Sequence, residues 1–184
     1  MNAMRILPDG PQTRAITRTG WRRVQQGFTL VELMVTVAVA SILVMIGVPA
    51  FSDALLSSKL NSLSNNFVAG VHLARSEAIK RNATVTLCAS AGGTTCGDDW
   101  SEGWKILANG AVIYTHAGLP NGFQMSEADD VTSINFPPTG VGITPAALTL
   151  CKATPSIGTQ KRTLTVKTTG RPEVKKVLDA TTCP

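Results

Sequence analysis

The chain has 184 residues, room for one small domain and an anchoring segment but not for two full domains. Its formal charge of +5 resembles that of a polyanion binder. Yet residues 1–27 hold five arginines and one aspartate, and the remainder, with 12 basic and 11 acidic residues, is nearly neutral. No catalytic grouping stands out: His72 falls in an amphipathic stretch, His116 ends an expected strand, and Gly92-Gly93 lacks the Lys-Ser/Thr that completes a phosphate loop.

Residues 1–27 contain Pro8, Gly10 and Pro11 and little apolar content, so they are expected to be disordered. They also carry Arg14, Arg18, Arg22 and Arg23, just ahead of residues 33–52, a run of twenty without a charge. Roughly 20 apolar residues cross a bilayer as a helix, and flanking arginines mark the cytoplasmic side. A secretory signal places its small-residue cleavage site after the apolar run; here the suitable small residue, Gly27, precedes it. A cut between Gly27 and Phe28 would discard the basic leader and keep the apolar helix. Phe28 would become residue one of the mature chain and Glu32 residue five. A carboxylate in lipid is costly until paired, and the new Phe28 amine would be a cation at nearly the same depth. The competing readings are a plain single-span anchor and, for Glu32, a carboxylate snorkelling to the interface.

Beyond the apolar run, Leu56, Leu60, Leu63, Phe67, Val71, Ala74 and Ala78 recur at intervals of three and four, one face of an amphipathic helix. A single helix from Thr29 to Ile79 would be about 75 Å long, with Gly47 and Pro49 as the place for a kink. The expected organisation is a leader over 1–27, a long helix over 28–81 (28–50 transmembrane, 51–81 amphipathic) and a β domain over 82–184. In the last, residues 83–89 alternate and are β-branched, and 104–108 and 111–116 flank Asn109-Gly110, a type I′ hairpin signal. Residues 133–136, 147–152, 162–168 and 172–178 are further expected strands, with turns at Pro137 to Gly142 and Thr169-Gly170.

All four cysteines, Cys88, Cys96, Cys151 and Cys183, lie beyond the apolar helix, on the side opposite the arginines. That side is oxidising in a bacterium, and a small exported domain gains from disulfides. Three pairings are open; neighbours in sequence order, Cys88 with Cys96 and Cys151 with Cys183, are preferred. None of the four has zinc-site spacing. Residues 82–151 sum to −5 and residues 152–184 to +5. The basic tail reads either as a surface for polyanions or an acidic neighbouring subunit, or as a lysine-guarded edge strand. Asp98, Asp99 and Glu102 read as a calcium cluster or, preferably, as a solvated loop.

The stretch GFTLVEL at 27–33 resembles the class III signal of type IV prepilins and pseudopilins. Residues 74–88 (ARSEAIKRNATVTLC), Trp100, Gly103 and Trp104, and the late strand-turn-strand RTLTVKTTGRPEV are similar to the GspH/FimT family of minor pilins and pseudopilins. The resemblance implies a type IV pilin-like α+β fold, a long N-terminal helix packed on a small antiparallel sheet. It implies a structural subunit rather than an enzyme, with neither cofactor nor metal, taking part in initiation or at the tip of a type IV pilus or type II secretion pseudopilus. It further implies cleavage at Gly27 and N-methylation of Phe28 by the prepilin peptidase, assembly through Glu32, and other minor pilins or pseudopilins as partners. The location implied is the bacterial inner membrane, single pass, with the C-terminal domain periplasmic. Some relatives bind DNA through a basic G-R-x-R motif. The matching residues are Gly170, Arg171, Pro172 and Glu173, so a glutamate replaces the second arginine. DNA binding through Arg171, Lys175 and Lys176 is therefore the runner-up. A membrane-anchored enzyme or calcium-binding module is the alternative from another class.

Overall fold

The computed structural model describes residues 27–90, 92, 94–155, 157–178, 182 and 183. The disorder expected of the leader falls on residues 1–26, which lie outside the described residues. In chain order the elements are α1 (Leu30–Arg81), β1 (Val85–Ala89), a 3-10 turn (Trp100–Glu102), β2 (Trp104–Ala108), β3 (Ala111–His116), β4 (Phe123–Glu127), β5 (Ser133–Phe136), β6 (Ala146–Lys152), β7 (Gln160–Val166) and β8 (Pro172–Leu178).

Thr29 caps α1. Its carbonyl accepts the Leu33 N–H at 3.1 Å and its Oγ1 accepts the Glu32 N–H at 3.2 Å, satisfying donors that a helix N-terminus otherwise leaves unpaired. At the other end Asn82 turns the chain with φ 48°, and the N–H groups of Asn82 and Ala83 donate to the carbonyls of Ile79 and Ala78. Glu32 in the first turn and Lys80 and Arg81 in the last complement the helix dipole. The helix runs through Pro49 without interruption.

The chain forms two compact units, residues 1–42 and 43–184. The described part of the first is the Gly27 to Ile42 stretch, exposed throughout. Its hydroxyls are satisfied within the helix, Thr36 donating to the Leu33 carbonyl and Ser41 to that of Ala38, as a segment in hydrocarbon requires.

In the second unit α1 stays exposed through Leu55 and then buries one stripe: Leu60, Leu63, Phe67, Val71, Ala74 and Ala78. A single small sheet was expected; the structure has two four-stranded antiparallel sheets, in the orders β3-β2-β1-β5 and β4-β6-β7-β8. The division arises because β4 pairs with β6 instead of continuing the hairpin ladder from β3. Inward-facing residues, Val85, Leu87 and Ala89 on β1 and Leu148 and Leu150 on β6, lie at alternate positions and meet the helix stripe in one apolar core. Trp104, fully buried, lies within it. The Phe67 ring meets it edge-on at 5.5 Å, and His116 stacks on it at 3.8 Å with planes 5° apart. At the β2–β3 turn Asn109 and Gly110 both have positive φ, 50° and 75°, as a type I′ turn demands.

Candidate functional site

The N-terminal segment brings three residues of interest together. Gly27 and Phe28 precede the helix in non-helical backbone, Phe28 is 76% exposed, and Glu32 is in the first helical turn. Among the described residues a Cβ built on Gly27 would meet nothing within 4 Å, so their packing does not demand glycine there. Thr29 was missed as a site residue. Its signal was legible, because Thr-x-x-Glu ahead of an apolar run is the pattern of a capping box.

The basic tail is arranged differently from the sequence expectation. β7 and β8 pair with Thr163 opposite Lys175, Arg162 opposite Lys176 and Thr165 opposite Glu173. Since alternate residues of a strand face opposite sides, Lys175 and Glu173 share the outer face while Lys176 lies on the other. Arg171, Lys175 and Lys176 thus form no single patch. Glu173 is ion-paired with Lys167 across the hairpin. That hydrogen bond, with Arg171 and Lys175 nearby, holds its carboxyl below the ordinary range. Arg162 is 1% exposed and cannot serve as a surface cation. Its guanidinium donates to Asn61 Oδ1 (2.9 Å), Ser57 Oγ (3.0 Å) and Gln160 Oε1 (3.2 Å). Gln160 in turn donates to the Asp53 carbonyl, and the Thr159 hydroxyl to Asp53 Oδ1. Burial lowers the pKa of Arg162, and these hydrogen bonds compensate part of the cost of the buried charge while tying β7 to α1.

The acidic residues lie elsewhere. Asp99 caps the 3-10 turn, its Oδ1 accepting the Ser101 N–H at 2.7 Å. Glu127 is committed to structure, accepting the N–H groups of Asp129, Val131 and Ala147. Among the described residues no group of three or more His, Cys, Asp or Glu is placed to hold a metal. Disulfides join Cys88 to Cys96 and Cys151 to Cys183. The first closes a loop over the outer face of the first sheet, where buried Lys105 donates to the carbonyls of Gly92 and Thr95.

A family model described as Type II transport protein GspH matches residues 63–170, more than half of the chain. The chain belongs to the GspH family. A second model, the prokaryotic N-terminal methylation motif, matches residues 22–48. Two crystal structures of the type IV minor pilin FimU from Pseudomonas aeruginosa strain PAO1 are similar. One is 24% identical, covers 63% of this chain and 92% of its own, and has a TM-score of 0.51; the other is 23% identical, covers 65% and 90%, and has a TM-score of 0.54. The minor pseudopilin EpsH of the Vibrio cholerae type 2 secretion system is 12% identical over 66% of this chain and 98% of its own, with a TM-score of 0.47. No curated protein matched the chain. The fold is therefore type IV pilin-like. As a GspH-family member the chain is a structural, non-enzymatic minor pilin or pseudopilin of a type II secretion or type IV pilus system. Its methylation motif implies processing by the prepilin peptidase, its family implies other pseudopilins as partners, and its apolar helix is that of a pilin anchored in the inner membrane before assembly.

Proposed function

We propose that this GspH-family subunit acts at the initiation or tip of its fibre, after cleavage between Gly27 and Phe28 and N-methylation of Phe28. Residues 1–27 are the leader, 28–50 span the membrane, 51–81 form the amphipathic half of the helix and 82–184 the periplasmic domain. The observation that carries the reading is the helix from Leu30 to Leu55. It is exposed throughout, with Glu32 in its first turn, and continuous with a packed, disulfide-tied β domain. Such a helix needs lipid or other helices around it. Glu32 of an incoming subunit pairs with the Phe28 amine of a neighbour, which recruits the subunit and sets its axial register. The openness around Gly27 supports cleavage there: the requirement for glycine comes from the peptidase pocket, not from packing among the described residues.

Two measurements test this. Gly27→Leu is expected to leave the protein at full length and unassembled; mature-sized protein from that variant would refute the processing site. Deleting the gene is expected to lower the number of fibres while leaving the length of those that form. Unchanged numbers would remove the initiating role and leave the family assignment in place.

A further inference from the structure

We infer that Lys105 prepares Cys88 to close the Cys88–Cys96 disulfide: it holds the loop between the two cysteines in place and keeps the buried Cys88 sulfur as a thiolate. This concerns how the domain is oxidised and goes beyond the assembly reading. Cys88 and Lys105 are directly opposite each other in the β1–β2 ladder. Opposite residues of an antiparallel pair share a face, with Cβ atoms about 5 Å apart. Both are fully buried. The Lys105 ammonium donates to the Gly92 carbonyl at 3.0 Å and to the carbonyl of Thr95, the residue before Cys96. Cys96 itself is exposed. The other residue opposite Cys88, Ser133 on β5, carries no charge, and residues 89–97 include no ionisable group besides Cys96. The acidic residues that follow the loop, Asp98, Asp99 and Glu102, are all exposed. Among the described residues Lys105 is thus the buried charge that faces Cys88.

The strand pair does not depend on the bond, because β1 is laddered on both sides, to β2 and β5, and carries Val85, Leu87 and Ala89 into the core. In the dithiol state Cys88 is therefore already beside the ammonium. Burial in apolar surroundings raises a thiol's pKa and silences it, whereas a neighbouring cation favours the thiolate, the form that attacks. Access sets the order of events. The exposed Cys96 thiolate attacks a small disulfide such as oxidised glutathione. The glutathione S–S bond breaks, a bond to the Cys96 sulfur forms, and one glutathione thiolate leaves. The Cys88 thiolate then attacks the Cys96 sulfur, forming the Cys88–Cys96 bond and expelling the second glutathione thiolate. The two cysteine protons end on the two glutathione thiols, and two electrons pass from the cysteines to the oxidant. Lys105 acts in the second step: its hold on Gly92 and Thr95 keeps Cys96 over β1, and its charge keeps Cys88 ready. A neutral amide would serve the loop carbonyls without the desolvation cost of a buried ammonium, so the charge itself calls for a role.

The experiment uses the full chain in detergent micelles, reduced, freed of reductant and given oxidised glutathione over a range of pH. Samples are quenched with acid and mass-mapped for the Cys96–glutathione adduct and for both disulfides. Lys105→Gln keeps a donor for the loop and removes the charge; Lys105→Met removes both. In the wild type the adduct is expected on Cys96, resolving into Cys88–Cys96 with a pH midpoint below the ordinary thiol value of about 8.5. Nucleophilicity falls only about half as steeply as the thiolate population rises, so resolution in Lys105→Gln is expected to be roughly three- to tenfold slower near neutral pH, with the midpoint moved up. Lys105→Met, which also frees the loop, is expected to be slower still. Closure of Cys151–Cys183, which ties the second sheet, is expected at the wild-type rate in both variants and reports that they fold. A wild-type midpoint at or above the ordinary thiol value, an adduct that forms first on Cys88, or a Lys105→Gln chain that resolves at the wild-type rate would each overturn the inference. So would a uniform slowing at every pH with an unmoved midpoint, which reduces Lys105 to a tether for the loop. The wild-type midpoint needs no variant, so the test stands even where a substitution prevents folding.

Discussion

Trp104 occupies the space that Gly70 leaves on α1. A Cβ at Gly70 would sit 2.9 Å from the indole Nε1, and the ring has nowhere to go, held by Phe67 on one side and His116 on the other. Gly70→Ala gains helix propensity of about 1 kcal/mol but overpacks the core by about 1–3 kcal/mol. We expect a net loss near 1 kcal/mol, read as a lower denaturation midpoint with an altered tryptophan emission; a stabilised variant would show that the ring relaxes freely. Glu32 poses the opposite case: it is exposed and, among the described residues, has no side-chain hydrogen bond or ion pair, and the role proposed for it lies in assembly. Glu32→Val makes the span more apolar, so insertion and cleavage are expected to survive while incorporation into fibres fails. Normal incorporation would show the charge pairing to be dispensable. Two charged residues are buried, Arg162 and Lys105: one is met by the polar side chains Ser57 and Asn61 of α1 and the other by carbonyls of the Cys88 to Cys96 loop. Both partners are remote from the strand that carries the charge, so no local pattern announces them.

Among elements, the β7–β8 hairpin carries the clearest pH dependence. The hydrogen bond from Lys167, with Arg171 and Lys175 nearby, lowers the Glu173 pKa from its ordinary 4.5. A carboxyl whose folded pKa lies below its unfolded value contributes stability fully present above about pH 4.5. That contribution is lost as the pH falls through the lower, folded value. Since both partners are exposed, the effect is small and local. Amide exchange in β8, corrected for intrinsic rate, is expected to quicken relative to β6 as the pH drops below that window, and Glu173→Gln is expected to abolish the dependence. The same glutamate bears on nucleic acid. Wild type is expected to bind DNA weakly or not at all at physiological salt, and Glu173→Arg to bind more tightly. Tight wild-type binding abolished by Arg171→Ala would instead favour a DNA receptor. The hairpin was legible because its alternation and Thr-Gly turn are strong signals, as were α1 and the Asn109-Gly110 turn. β4 was not. FQMSE has no β-branched residue, and as an edge strand it pairs with β6 alone, so tertiary pairing rather than propensity makes it a strand. Missing β4 concealed the second sheet.

At the scale of the whole molecule, the domain is held by one core and two covalent ties of unequal reach. Cys88 and Cys96 are separated by 8 positions, Cys151 and Cys183 by 32. Loop-closure entropy grows with the logarithm of the loop, which gives roughly 2.5 kcal/mol for the short tie and roughly 3.7 kcal/mol for the long one. The short loop, however, also covers Lys105, so its loss leaves a buried ammonium short of acceptors. The long tie fastens the chain end after β8 to the outer side of β6 across the second sheet. The two bonds should therefore fail differently. Replacing Cys151 and Cys183 with serine is expected to lower global stability by about 3–4 kcal/mol, with exchange protection falling most in β8. Replacing Cys88 and Cys96 is expected to cost about 2–3 kcal/mol from closure entropy and to make Lys105 reactive toward amine-labelling reagents under native conditions. The measurement is denaturant unfolding of the full chain in micelles, with mass mapping of labelled lysines. Equal costs with Lys105 still protected in both variants would show that the short loop holds its place over the sheet without its disulfide.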